Sequence, residues 1–563
     1  MSNKSLRFVS LLIAAAMLMT LVIGGAGAQE PKILTTTLYM VGGDLNTIDP
    51  SLAEVSGEIQ VIHQMFIGLS TQDPFTGDAV PGVASDWTVS DDGLTWTFNI
   101  IPEIPWVRYN ADSGQVEQVL DENGSVRYVT AADFVYAWKR SLDPATASPY
   151  AYVPAEYVVG GAEYLAGEAD FDAVQVTALD DYTFQLVANE DVSFAINIYG
   201  MWPVNALPEW AIEEGGDLWT EPDYINTYGP FALKEWAHDE SITLIKNPFW
   251  PGVEFVPQPK LDEVVYRFLD PQAGFAEYLA GTLDAADVPL EEIDRIKADP
   301  VLSAEYVIAP RLCTYYLGIN QEKSPLGDSV HLRRALSLAI DREAIVTNVT
   351  KGGQEPARWF ARPGLAGAPT MESHPDAGIG YDPEAAQAEL ALALEELGLS
   401  SVADIPTITA AYNDASGHAA ILQAIQQMWT DTLGITVQLN AQDPTGYFSR
   451  VSEDPPQIWR SGWCDDYPDA DNFLRGVFRS DSSQNDPRFR SAEFDALVDQ
   501  ARVEDDPEVR RDLYAQADTI LVRDEVGIMP IYWYTYNQIT KPYVERIFSV
   551  SGREHFEFWD INR

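Results

Sequence analysis

Eight consecutive residues, Arg460-Ser461-Gly462-Trp463-Cys464-Asp465-Asp466-Tyr467, hold a guanidinium, an indole, a cysteine sulfur and two carboxylates. The only other cysteine lies in Cys313-Thr314-Tyr315-Tyr316. These groups suit capture of a charged, polar ligand rather than bond cleavage. A carboxylate can hold an ammonium group and a guanidinium can hold a carboxylate; a free peptide carries both. In an extended segment consecutive side chains point to opposite faces. Asp465 and Asp466 are therefore not expected to face one ligand together.

Motifs that would carry an enzyme or a metal are scarce. The chain has no G-x-S-x-G, H-E-x-x-H, G-x-x-x-x-G-K-[ST] or G-x-G-x-x-G segment. The six histidines (63, 238, 331, 374, 418 and 555) show no zinc-ligand spacing. Asp466, Asp469 and Asp471 suggest a calcium loop, but the glycine and terminal glutamate of such a loop are missing. No metal and no cofactor is expected.

The elements that must position these residues alternate in type. Leu94 to Ile100 alternates apolar and polar, a half-buried strand. Thr130-Ala131-Ala132-Asp133 opens a helix as a capping box. Val264 to Leu269 reads as a strand. Leu332, Leu336 and Ile340 mark a helix running through Asp341-Arg342. Asp382-Pro383-Glu384 starts a helix that ends at Gly398. Ala419 to Leu433 is helical, Gly434 stops it, and Ile435, Val437 and Leu439 alternate as a strand. The class is mixed α/β, with sheets covered by helices.

The N-terminus reads as an export signal: Lys4 and Arg7, an apolar run from Val9 to Ile23, then Ala26-Gly27-Ala28 as a processing site before Gln29. An uncleaved membrane anchor is the alternative. The region has no cysteine, so N-terminal lipid attachment is excluded. The 563 residues exceed one compact core. A net charge of −51 repels nucleic acid and anionic lipid, so no nucleic-acid partner is expected. Two cysteines in an exported chain argue for one disulfide, with two buried thiols as the alternative.

An ordered series of motifs resembles one family. It comprises Asn46-Thr47-Ile48-Asp49-Pro50, Met65-Phe66-Ile67-Gly68-Leu69, Ala84-Ser85-Asp86-Trp87 and Val129-Thr130-Ala131-Ala132-Asp133-Phe134-Val135-Tyr136. It continues with Thr146-Ala147-Ser148-Pro149-Tyr150, Gly229-Pro230-Phe231, Lys246-Asn247-Pro248, Arg334-Ala335-Leu336 and Ala339-Ile340-Asp341-Arg342. With the two cysteine segments, the series is similar to the extracytoplasmic solute-binding proteins of peptide ABC transporters, oligopeptide-binding type.

The resemblance implies a two-lobed, class II periplasmic-binding-protein fold with an extra third region. Residues 1–28 would be the signal, and 29–66, 211–312 and 536–563 one discontinuous lobe. Residues 67–210 would elaborate that lobe, and 313–535 would form the other. It implies a Cys313–Cys464 bridge inside the second lobe. It places Asp466 on a peptide's α-ammonium group, and Arg460 and His418 on peptide carboxylates. Glu54, Tyr150, Trp463, Tyr534 and Cys464 would line the site. Where the family uses a lysine, the register gives Thr350, followed by Lys351. One residue of a helix turns a side chain by about 100°, so Lys351 is expected to miss the site.

Taken singly, Arg460 would pass as a surface ion pair, Trp463 and Tyr534 as core, and His418 as structural. The expected function is oligopeptide capture by a monomer outside the cytoplasm and delivery to a membrane-embedded permease. The alternatives are another solute on the same fold (a cell-wall peptide, an opine or a sugar) and an extracytoplasmic hydrolase.

Overall fold

The computed structural model describes residues 30–40, 42–415 and 417–563. The export signal read from the sequence lies outside them. Among the described residues no helix is long and apolar enough to cross a membrane.

Two larger sheets organise the chain around separate cores. The first runs in spatial order Ile33–Thr37, Glu263–Arg267, Ser241–Lys246 and Phe231–Ala237. Its apolar face (Leu34, Phe231, Leu244, Val264) joins one continuous cluster that also takes in Val61, Phe98, Trp138, Trp202 and Trp559. A four-stranded sheet containing Ala84–Val89, Thr95–Ile100 and Thr183–Val187 adds to the same cluster. Trp96, Phe98 and Ile100 are buried there, the inward half of the alternation.

The second large sheet runs Ala285–Asp287, Ile528–Thr540, Tyr306–Ile319, Ile458–Cys464, Thr409–Asn413 and Gln438–Gln442. Its two longest strands, Tyr306–Ile319 and Ile528–Thr540, are antiparallel and slip register between Pro310 and Thr314. On one side of the slip Ile539 packs with Phe275, Tyr278 and Ile293. On the other, Tyr315, Leu317, Met529 and Ile531 join a separate core with Leu336, Ile425 and Trp429. The same two strands therefore cross from one packed body to another.

Local signals explain several elements. The Thr130 backbone N–H bonds to Asp133 Oδ2 at 2.8 Å, and Ala131–Leu142 follows as a helix. Asp382 caps Pro383–Glu396, and Gly398 takes a left-handed φ of 67° beyond its end. Two readings need correction. The helix expected to run through Asp341-Arg342 stops at Leu338. Asp341 caps a new turn, Arg342–Ile345. The break lets the buried Arg342 guanidinium donate to the carbonyls of Pro530 at 2.6 Å and Ser337 at 3.2 Å. The strand expected from Ile435 begins at Gln438. The carbonyls of Ile435 and Val437 are taken by Thr430 and Gln426 of the preceding helix, not by a neighbouring strand.

Candidate ligand-binding cleft

The site begins with an unpaired strand edge. Ile458–Cys464 pairs along its whole length with Tyr306–Ile319. With Thr409–Asn413 it pairs only at Ile458 and Trp459. From 460 to 464 the second edge has no strand partner among the described residues. Such an edge offers N–H and C=O groups to an extended ligand. At Gly462 a Cβ would sit 3.2 Å from the Tyr534 hydroxyl and 3.6 Å from Arg460 Nη2, so glycine leaves room for the contact between those two side chains. Cys313 and Cys464 face each other across the paired edge and form the disulfide. Free thiols are thereby excluded.

At one end stands Asp466, largely buried. Tyr150 donates to its Oδ1 at 3.1 Å and Asn472 to its Oδ2 at 2.9 Å. The Asn472 carbonyl oxygen accepts from the Asp466 backbone N–H at 3.1 Å and from the Trp463 indole at 3.2 Å. Arg553 donates to the Asp466 carbonyl at 2.9 Å. Burial pushes the Asp466 carboxyl up to about 6, against the opposing pull of Asn472, Tyr150 and Arg553. A cationic ligand would supply the missing stabilisation. Tyr150 packs edge-on against Trp202, ring centroids 4.7 Å apart, and the Trp202 indole donates to the Ala53 carbonyl. Glu54 follows, its side chain exposed and its backbone N–H on Glu58 Oε2 at 3.1 Å. Burial and then the Asp466 charge hold the Tyr150 phenol well above its usual value, so it remains a donor.

At the other end Arg460 Nη2 donates to the Tyr534 hydroxyl at 2.7 Å, and the guanidinium lies 5.0 Å from the Tyr315 ring centroid. Its Nε has no hydrogen-bond partner and, among the described residues, it forms no ion pair. Burial opposes its charge, and the phenol oxygens of Tyr534, Tyr315 and Tyr532 more than restore it. His418 opens the helix His418–Leu433 and meets the Tyr315 hydroxyl at 3.4 Å through Nδ1. Burial and then Arg460 lower its pKa well below the ordinary range, so the ring is neutral. The cluster is a cation with hydrogen-bonding capacity around it, suited to a carboxylate.

The structure thus gathers Asp466, Trp463, Tyr150 and Glu54 at one end and Arg460, Tyr534 and His418 at the other, with Cys464 on the strand between. Lys351 adopts a left-handed φ of 56° and pairs with Asp294; the Thr350 hydroxyl donates to Gln354 at 2.9 Å. Asp469 binds Arg510 through both oxygens, at 2.7 and 2.9 Å, and Asp471 accepts from Tyr467 at 2.9 Å. Neither is left facing a calcium ion. Asp465, the other carboxyl of the pair, is half-buried. Its Oδ2 is buried without a partner, and burial pushes its carboxyl up to about 7.

Sequence reasoning missed Asn472 and Arg553, which hold Asp466, because neither belongs to a motif. It also missed a latch across the cleft. Glu156 accepts from Arg475 Nη1 at 3.2 Å and from Arg502 Nη1 at 3.2 Å. Phe194 stacks on Tyr467 nearby, centroids 5.3 Å apart.

Comparison with known proteins agrees with the family read from the motifs. The model described as bacterial extracellular solute-binding proteins, family 5 Middle, matches residues 78–485. The chain is 32% identical over 547 residues to the periplasmic oligopeptide-binding protein OppA of Salmonella typhimurium, covering 95% of this chain and 94% of that one. It is 33% identical over 526 residues to the oligopeptide-binding protein OppA of Bacillus subtilis, covering 91% and 90%. Among solved structures, the Escherichia coli murein tripeptide binding protein MppA superposes with a TM-score of 0.79 at 27% identity, covering 95% of this chain and 99% of that one. Haemophilus influenzae OppA in complex with the peptide RPPGFSPFR gives 0.77 at 27%, covering 95% and 100%.

Proposed function

The chain belongs to the family 5 bacterial extracellular solute-binding proteins, and we propose that it captures oligopeptides in the cleft and delivers them to a membrane ABC permease. The observation that carries this reading is the open strand edge at 460–464, with a buried carboxylate at one end and an unpaired guanidinium at the other. An extended peptide would add to that edge as a strand, fixed by main-chain hydrogen bonds. Its α-ammonium group would sit on Asp466 and a carboxylate on Arg460, with His418 as a neutral partner. Side chains would project into hydrated pockets, where bridging waters replace specific contacts. The protein would read termini more than sequence.

In this reading residues 29–66, 211–312 and 536–563 form one lobe, 67–210 elaborate it, and 313–535 form the other. The Cys313–Cys464 bridge would then brace one lobe without restricting closure. Ligand energy favours the closed state, which the permease would recognise. Export through residues 1–28 belongs to the same proposal, and the mature protein should begin at or near Gln29. No bond is broken.

Denaturing the purified protein and weighing what it releases tests the cargo. Peptides of a few residues are expected, and any added peptide should be recovered intact after long incubation. A released sugar or opine would overturn the cargo while leaving the family, and cleaved peptide would favour a hydrolase.

A further inference from the structure

One guanidinium in the crossing strands is left unused by that reading. Arg311 lies where the pairing of Tyr306–Ile319 with Ile528–Thr540 slips register, between Pro310 and Thr314. Its stem is held in place. A Cβ on Gly552, whose φ is 82°, would sit 3.2 Å from Arg311 Cγ and 2.3 Å from the Tyr536 ring, so only glycine lets the C-terminal segment close over the pair. The guanidinium carbon lies 5.0 Å from the Tyr536 centroid and 6.0 Å from that of Tyr534. Arg362 Nη1 donates to the Arg311 backbone carbonyl and to that of Tyr534. Yet the Arg311 side chain donates no hydrogen bond and forms no ion pair among the described residues.

One neighbour connects it to each proposed ligand anchor. Tyr534 turns its ring towards Arg311 while its hydroxyl accepts from Arg460 at 2.7 Å. In the other direction the Arg311 charge is felt by Asp465, the neighbour of Asp466. The carboxylates that act on Arg311 do not satisfy it. Asp287 Oδ1 accepts from Gln538 at 2.9 Å, and Asp465 Oδ2 is shut away from any partner. A preorganised fork with free donors, stacked on aromatic rings, is the geometry that binds a carboxylate.

We propose that Arg311 is a specificity-determining residue that binds the side-chain carboxylate of an aspartate or glutamate in the interior of the bound peptide. The proposal rests on the oligopeptide reading above. It predicts a preference that the protein's overall charge of −51 would not suggest, since the global field disfavours acidic ligands.

The test is calorimetry with tetraalanine and with tetrapeptides in which Glu or Gln replaces each alanine in turn. The native protein should bind the Glu peptide about tenfold more tightly than its Gln partner at one interior position. Arg311→Gln should bring that ratio to about one while leaving the Gln peptide within about twofold of its native affinity. That retained affinity also shows that the variant folds. No Glu preference at any position, a preference that survives in Arg311→Gln, or an equal loss for both peptides would each overturn the assignment. Tetraalanine that fails to bind the native protein at all would sink the oligopeptide reading, and Arg311's role with it. Tetraalanine that binds while Glu and Gln are not distinguished sinks Arg311's role alone.

Discussion

Tyr150 and Asp466 stand 316 positions apart in the chain, and the phenol of the first donates to the carboxylate of the second across 3.1 Å. The bond orients the Asp466 carboxylate and at the same time joins distant parts of the chain. In the proposed reading the same carboxylate anchors the peptide's ammonium group.

Replacing Asp466 with asparagine keeps the shape and removes the charge. Losing one partner of a buried ion pair costs about 3–5 kcal/mol, so the Kd for a free peptide should rise about 10²-fold to several thousandfold. Tyr150→Phe removes only the orienting hydrogen bond, about 1 kcal/mol. N-acetylating the peptide should weaken binding to the native protein as much as Asp466→Asn does, and add little in that variant. Calorimetry on the four combinations reads this directly; fully additive losses would put the ammonium site elsewhere.

Binding should depend on pH with a defined sign. Asp466 must ionise to hold an ammonium group, and burial has pushed its carboxyl up to about 6. The peptide amine stays protonated well above that. The Kd should be flat near neutral pH and rise about tenfold per unit as pH falls below 6, with close to one proton released per peptide bound near pH 5. The empty protein should show the opposite trend in stability. A folded-state carboxyl raised from 3.8 binds more protons than the unfolded chain, so stability falls as pH rises through that window. Asp465, pushed up to about 7, extends the fall towards neutrality. Melting curves across pH 4–7, with and without peptide, and calorimetry in buffers of different ionisation enthalpy check both halves.

Glu156 should act on ligand release. It joins Arg475 and Arg502, which lie more than 300 positions further along the chain and are themselves largely buried. Glu156→Gln removes the carboxylate the two guanidiniums share and leaves Arg475 with Asp499 and Arg502 with Glu190, each at 3.3 Å. Charge-assisted bonds of this kind are worth about 1.5–3 kcal/mol, so peptide release should accelerate about tenfold or more with little change in the association rate. Stopped-flow measurements decide it, and an unchanged release rate would make the contact purely structural.

The Cys313–Cys464 bridge closes a loop of 151 positions. Loop entropy gives it at most about 5 kcal/mol of stability. The double serine variant should unfold at lower denaturant but keep its peptide affinity within a few-fold, because Thr314 to Ile319 still pair with Ile458 to Trp463. Titration of the unfolded, unreduced native protein should find no free thiol.

The sequence alone determined the family, the α/β class, the cysteine count and the types of charge the site would use. It also placed the caps at Thr130 and Asp382. Those signals are legible because caps and periodicity depend on residues a few positions apart. Even there tertiary demand intervened: the helix reaching Leu338 breaks so that Arg342 can satisfy the Pro530 carbonyl. The tertiary structure alone decided that Asn472 and Arg553 hold Asp466 in place, that the Asp465 Oδ2 is buried without a partner, and that Arg311 forms no ion pair among the described residues. It alone joined Glu156 to Arg475 and Arg502. These relationships link residues from distant parts of the chain across crossing strands. Their geometry and desolvation exist only once both cores are packed, and no local pattern encodes them.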